Sequence, residues 1–294
     1  MNLDAISSVA VLGAGTMGNG IAHVFAREGY TVILRDVEKR KLDHALETIS
    51  KNLDREVKKG KVPENELPRI LARIEPAMDL DAVSGADFVI EAVPERIDLK
   101  RQVLAEADAI MHPEAILATN TSSISVTALA AATRRPDRFV GMHFMNPVPV
   151  MKLVEVIRAL QTGDATFDTT MQLCDKLGKT PVAVNDAPGF VSNRVLMPYI
   201  NEATFCVMEG VATVESVDAI MKTGMSHPMG PLELADFIGL DVCLDILEVL
   251  FRDLGDAKFR PSALLRKMVA AGWLGRKSGR GFYSYGENST GRSK

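Results

Sequence analysis

His143 and Glu155 are the residues whose types and settings most suggest chemistry. Each stands in an otherwise apolar run, Gly-Met-His-Phe-Met for the histidine and Lys-Leu-Val-Glu-Val-Ile for the glutamate. A buried carboxylate without a partner is costly, so Glu155 requires a donor nearby. A carboxylate on one imidazole nitrogen fixes the tautomer and stabilises the imidazolium, leaving the other nitrogen to take a proton. Such a pair is either a general base with its orienting acid or a structural ion pair at a sheet edge; the two runs alone do not separate these. Ser122 and Ser123 offer hydroxyls in Thr-Asn-Thr-Ser-Ser, to a ligand or as caps of the helical run Ser-Val-Thr-Ala-Leu-Ala-Ala-Ala-Thr. Asn146 and Asn193 stand in the same way between turn or cap duty and substrate contact.

A second constellation points to a phosphate-bearing ligand. Gly13, Gly15 and Gly18 form Gly-Ala-Gly-Thr-Met-Gly, with Thr16 and Met17 inside it, directly after an apolar run and before a helical one. Here the first glycine makes a tight turn, the second lets backbone approach a pyrophosphate and the third lets helix pack on strand. The helix N-terminus then offers free N–H groups and the positive end of its dipole. Asp36 closes the next strand at the spacing where an acidic side chain grips the adenine ribose hydroxyls. Its charge would repel a 2′-phosphate, so NAD is favoured over NADP, while Arg35 belongs to the other face of the strand. Lys51, Arg55, Lys58, Lys59 and Lys61 cluster further on. They form a solvated face or meet a phosphorylated ligand such as CoA.

These residues need a frame. Apolar runs beginning at Val9, Thr31, Ala86 and Ala115 alternate with helical patterns and lack polar alternation, as strands of a covered parallel sheet do. The long stretch from Asp36 to Ala86 exceeds a simple crossover. Its part from Lys39 to Ala72 reads as two charged amphipathic helices broken at Lys59-Gly60-Lys61-Val62-Pro63, an arm projecting from the sheet. The runs Arg-Phe-Val-Gly-Met-His-Phe and Met-Lys-Leu-Val-Glu-Val-Ile are joined only by the loop from Met145 to Val150, too short for a parallel crossover. They must therefore pair antiparallel, which brings His143 and Glu155 alongside. After Asn185 the pattern turns helical, over about 190–210, 213–224, 230–254 and 261–271, with breaks at Gly210, Gly224 and Gly255. The expected architecture is a Rossmann-type, doubly wound, mostly parallel α/β sheet over residues 1–185, with an inserted helical arm, followed by an all-α domain over 186–294.

Composition excludes several classes. A formal net charge of -4 argues against a nucleic-acid binder, which carries a basic face. The cysteines Cys174, Cys206 and Cys243 are odd in number and far apart, which fits a reducing compartment and excludes a disulfide framework or a cysteine zinc site. The N-terminus has no basic stretch ahead of an apolar one, so no signal peptide is expected, and no run is long enough to span a membrane. A cytoplasmic protein without a metal is the expectation, with a disordered tail after Tyr285.

In order along the chain, Gly13-Ala-Gly-Thr-Met-Gly18, Glu91-Ala-Val-Pro-Glu95, Asn120-Thr-Ser-Ser123, His143-Phe-Met-Asn-Pro147, Lys152-Leu-Val-Glu155 and Pro188-Gly-Phe-Val-Ser-Asn193-Arg194 resemble the 3-hydroxyacyl-CoA dehydrogenases, most closely the short bacterial 3-hydroxybutyryl-CoA type. Gly224 to Gly239 and Gly275 to Tyr283 match as well, so the resemblance covers nearly the whole chain. It implies NAD-dependent oxidation of a (3S)-3-hydroxyacyl-CoA to the 3-ketoacyl-CoA, in fatty acid or butanoate metabolism. By the same resemblance His143 is the base, Glu155 its partner, and Ser122 and Asn193 hold the reacting oxygen. Glu95 and Lys100 border the nicotinamide half of NAD with Asn146 nearby, Lys277 reaches the cofactor, and Lys59 contacts CoA where Asn52 replaces the family's serine. The family pairs through its helical domain. A homodimer is also what the segment Pro231 to Leu254 suggests, being apolar on more than one face. Alternatives are 3-hydroxyadipyl-CoA or a non-CoA hydroxy acid as substrate, and a non-catalytic, crystallin-like structural protein.

Overall fold

The computed structural model describes residues 2–286 of the chain. The tail beyond Gly286 lies outside the described residues. Two compact units follow one another, Met1–Ala187 and Pro188–Lys294.

The first unit is built on an eight-stranded sheet. In chain order its elements are β1 (Ser8–Leu12), α1 (Thr16–Arg27), β2 (Thr31–Arg35), α2 (Lys39–Lys58), α3 (Leu67–Ala72), β3 (Ile74–Ala77), β4 (Phe88–Glu91), α4 (Ile97–Ile110), β5 (Ile116–Thr119), α5 (Val126–Ala130), β6 (Phe139–Phe144), β7 (Leu153–Arg158), α6 (Asp164–Lys176) and β8 (Thr180–Asn185). The spatial order is β3-β2-β1-β4-β5-β6-β7-β8. All neighbours are parallel except β6 and β7, whose antiparallel pairing makes the sheet mixed toward one edge.

The central strands β4, β5 and β6 are buried along their whole length, which is why they read as unbroken apolar runs. The two edges read differently. Strand β3 buries only Ile74, and β8 buries only Val184. Each also carries a proline, Pro76 or Pro181, tolerated because an edge strand pairs on one side only. Neither strand stands out as an apolar run, and both extend the sheet beyond the sequence reading.

The inserted arm is α2 and α3. It does not stand clear of the sheet layers: Leu42, Ala45, Ile49 and Leu53 recur at helical spacing, are fully or almost fully buried, and join the core cluster that includes Ile21, Val24 and Phe25 of α1. The apolar stripe of α2 therefore packs inward, leaving its charged residues outside.

The second unit is helical: α7 (Ser192–Met208), α8 (Val214–Gly224), α9 (Pro231–Ile238), α10 (Leu240–Leu254) and α11 (Ala263–Ala270). The expected single helix over 230–254 is two. Gly239 sits between them at φ +108°, a conformation that ends the first helix and that L side chains rarely adopt. Asp186, expected to open this domain, is tied into the first unit: it accepts from Val126 N, Thr127 N and Ser125 Oγ at 2.7–3.1 Å. Among the described residues no helix is long and apolar enough to cross a membrane.

Candidate active site

The glycine loop between β1 and α1 is shaped by close approach. Gly13 lies at φ +106°, and a Cβ there would fall 2.7 Å from the carbonyl oxygen of Ala92. At Gly18 a Cβ would fall 1.7 Å from the Gly13 carbonyl oxygen, so this helix turn can rest on the loop only as glycine. Gly15 caps α1 and faces open space, with Thr16 exposed beside it. Met17, by contrast, packs against the core, which leaves its backbone N–H as its contribution to a ligand. Asp36 fixes the loop from below: its carboxylate accepts from Ala14 N at 2.9 Å and from Glu38 N at 3.0 Å. The first turn of α1 thus presents N–H groups and the helix dipole to an open cradle, the geometry that receives a pyrophosphate.

That cradle opens into a cavity of about 590 Å³. Gly15, Thr16 and Asn19 line one side, Asn146 and Pro147 of the β6–β7 loop another. The remaining wall is α2, through Arg40, His44, Thr48 and Asn52. The four-residue steps along this polar row set it on one helix face, opposite in character to the buried stripe. Sequence reading picked Asn52 from this row and passed over the other three; the spacing was the available signal. Lys59 caps the same helix, is exposed, and is not part of the cavity wall.

His143 and Glu155 are directly paired residues of the β6–β7 ladder. Their side chains therefore share one face of the sheet, and His143 Nδ1 lies 2.7 Å from Glu155 Oε2. The glutamate is 2% exposed and the histidine 8%. An ionised carboxylate only accepts, so Nδ1 carries the proton and Nε2 is the nitrogen left for proton exchange.

A second polar network, open to solvent at Glu95 and buried behind it, holds the Ser122 loop. Glu95 Oε1 accepts from Thr121 Oγ1 at 2.5 Å, from Ser122 N at 2.9 Å and from Ser123 N at 3.0 Å. Lys100 lies behind it, 1% exposed, with Nζ 2.7 Å from Glu91 and 3.2 Å from Glu95. Burial pushes the Glu91 carboxyl above its usual range, against the pull of Lys100 and of the Thr119 hydroxyl. Glu95 is also pushed up by burial, but Lys100 and the Thr121 and Ser122 donors outweigh this and hold it below the usual range. Lys100 therefore meets the site through Glu95 rather than at its surface. The helix cap belongs to Ser125, whose side chain accepts from Ala128 N, so neither Ser122 nor Ser123 serves as that cap.

Two further expected residues belong to the second unit. Asn193 stands in the first turn of α7, 9% exposed, and the Lys277 ammonium pairs with Asp241 at 2.6 Å. Among the described residues no group of three or more His, Cys, Asp or Glu is placed to hold a metal ion.

Known proteins give this geometry a context. Residues 8–187 match the family model for the 3-hydroxyacyl-CoA dehydrogenase NAD binding domain, and residues 189–285 that for the C-terminal domain of the same family. A probable 3-hydroxybutyryl-CoA dehydrogenase of Bacillus subtilis (strain 168) is 54% identical over 285 residues, covering 97% of this chain and 99% of that protein. The crystal structure of an (S)-3-hydroxybutyryl-CoA dehydrogenase from Ralstonia eutropha superposes with a TM-score of 0.93 at 50% identity, covering 96% of this chain and all of that one. A 3-hydroxyadipyl-CoA dehydrogenase of Escherichia coli (strain K12) is 42% identical over 281 residues, 95% of this chain but 59% of that longer protein.

Proposed function

The chain belongs to the NAD-dependent 3-hydroxyacyl-CoA dehydrogenase family, and on that premise we propose that its substrate is a short-chain (3S)-3-hydroxyacyl-CoA, 3-hydroxybutyryl-CoA above all. The observation that carries a catalytic rather than a structural role is the His143–Glu155 pair, buried and in register across the ladder. The relatives of highest identity described above are named for 3-hydroxybutyryl-CoA, which supports the short acyl chain over the adipyl one.

The dinucleotide cradle fits NAD. Its Gly15 edge is open, its helix end offers N–H groups, and the Asp36 carboxylate stands where a ribose diol would be accepted and a 2′-phosphate refused. When bound, NAD supplies the acceptor for the hydride that leaves C3 of the substrate. His143 Nε2 takes the proton of the 3-hydroxyl, and Glu155 stabilises the imidazolium that results. Ser122, whose N–H and hydroxyl both donate to Glu95, takes its role at the reacting oxygen from the resemblance, which gives Asn193 a share in that contact. Arg40, His44 and Asn52 add donors along α2 for phosphate-bearing ligands. Lys59, about two turns beyond Asn52, reaches CoA outside the cavity.

The same reading makes the protein a cytoplasmic homodimer joined through its second unit. Phe251, Met208 and Val211 are exposed apolar residues of that unit, which supports a partner there. Reducing surroundings suit its cysteines, all free; burial pushes the Cys174 and Cys243 thiols up to about 12, so they stay unreactive. The decisive experiment is reduction of acetoacetyl-CoA by NADH, beside a 3-ketoadipyl-CoA and a non-CoA keto acid, for the wild type and His143→Gln. The expected result is preference for acetoacetyl-CoA and a loss of kcat of roughly 10²–10⁴-fold in the variant. Comparable turnover of the non-CoA acid, or an active variant, would overturn the proposal.

A further inference from the structure

Lys179 is 7% exposed and precedes the edge strand β8. Its ammonium donates to the carbonyl oxygens of Val148 and of Met151, the latter at 2.8 Å. No ion pair among the described residues includes it. A buried cation without a counter-ion is expensive, and burial draws its pKa down to about 8. Arg27 of α1 pushes in the same direction, while Cys174 of α6, Glu28 after α1 and Glu56 of α2 oppose it. A group held at such a cost does something for its two acceptors.

Both acceptors lie in the loop that joins the strand of His143 to the strand of Glu155. The loop is tight: Val150 N and Met151 N both donate to Pro147 O at 3.0 Å. It also rests on α1, where a Cβ at Gly20 would fall 2.8 Å from Cβ of Val148. The loop is therefore held by both α1 and Lys179, and its residues Asn146, Pro147, Val148 and Pro149 form a wall of the cavity. We propose that Lys179 is a positioning residue of this enzyme, fastening the β6–β7 loop so that Asn146 is presented to the dinucleotide. The proposal rests on reading the cavity as the NAD site.

The test is a double-mutant cycle. KM for NAD and kcat are measured for the wild type, Lys179→Met, Asn146→Ala and the double variant, with circular dichroism to establish folding. Each single change is expected to raise KM for NAD about tenfold with a smaller effect on kcat, the scale of one lost polar contact. If Lys179 acts through Asn146, the double variant resembles Asn146→Ala alone. A roughly hundredfold, multiplicative effect, or an unchanged KM in Lys179→Met, would overturn the proposal. Should Lys179→Met fail to fold, Gly20→Ala displaces the same loop from the α1 side and should raise KM in the same way. An unaltered KM there also overturns it. An Asn146→Ala variant that binds NAD normally sinks the reading of the cavity itself, a separate and recognisable failure.

Discussion

Replacing Glu155 by glutamine removes one charge from a buried pair while leaving shape and volume almost intact. The carboxylate oxygen lies 2.7 Å from His143 Nδ1, and the glutamate is 2% exposed, so little solvent screens the pair. Two unit charges about 4 Å apart attract by roughly 4 kcal/mol at an effective dielectric of about 20. That attraction exists only once His143 has taken its proton, so it acts on the developing imidazolium and not on the resting imidazole. The amide keeps a dipole and returns part of this, leaving a loss of about 2–4 kcal/mol. At about 1.4 kcal/mol per tenfold, kcat falls by roughly 30- to 1000-fold. If the amide instead turns its NH₂ toward Nδ1, the ring adopts the other tautomer and the loss lies in the same direction. Glu155 is no part of the cavity wall, so KM for NAD should stay within a factor of about two of wild type. The assay is 3-hydroxybutyryl-CoA oxidation at saturating NAD, with thermal melts of both proteins alongside. A kcat within about threefold of wild type, with the fold intact, would refute the reasoning and leave the pair as scaffold.

Asp36→Ala removes an acceptor from the ribose, one hydrogen bond from the glycine loop at Ala14 N and one from the turn at Glu38 N. KM for NAD should rise by about ten- to a hundredfold and the preference over NADP should narrow, and an unchanged kcat/KM ratio between the cofactors would count against Asp36 as the selector. Lys179 has a folded pKa of about 8, below its unfolded value, so by linkage its stabilising contribution is full above the unfolded pKa and is lost as pH falls through about 8. Denaturant unfolding should accordingly show wild type gaining on Lys179→Met by up to about 3 kcal/mol between pH 7.5 and pH 10, roughly 1.4 kcal/mol for each unit of depression, and a flat difference would contradict it. Phe251 is 37% exposed on α10, and Phe251→Glu should shift the protein toward monomer in sedimentation if that face pairs two copies. A dimer of wild-type strength would place the interface elsewhere.

What could be read from the residues follows from how local the physics was. The His143–Glu155 pairing was legible because the six residues from Met145 to Val150 cannot carry a parallel crossover, so strand direction followed from chain length alone. The dinucleotide loop was legible because steric approach at Gly13 and Gly18 leaves a mark in the sequence. Ser122 was harder: four nearby positions, Ser122, Ser123, Ser125 and Thr121, offer similar hydroxyls, and only tertiary contacts give Ser125 the cap and tie the others to Glu95. The burial of Lys100 was not legible, because its partner Glu91 sits on a strand and not on its own helix. The apolar segment over 231–254 reads as one helix apolar on more than one face, and the structure divides those faces between two helices. Split at Gly239, it buries Leu240, Cys243, Leu247 and Leu250 and rests Leu244 and Ile246 on the unit's own core, leaving Phe237, Val242 and Phe251 outward.

The reversal of β7 ties these features together. Strands β1 to β6 run parallel, so a ligand at their carboxyl ends meets only loops and the last residues of strands. Turning the chain back at Phe144 brings the start of β7 to that same end, and two interior strand residues can then face each other there across one ladder step. A parallel neighbour would reach that position only after a crossover over the sheet face. The reversal has a consequence for the turn: with no helix to absorb them, the carbonyls of Val148 and Met151 must find donors, and Lys179 supplies both. The His143–Glu155 pair and the buried lysine are in this sense products of one topological choice. A substitution that loosens the turn should therefore affect cofactor binding before it affects the ladder beneath it.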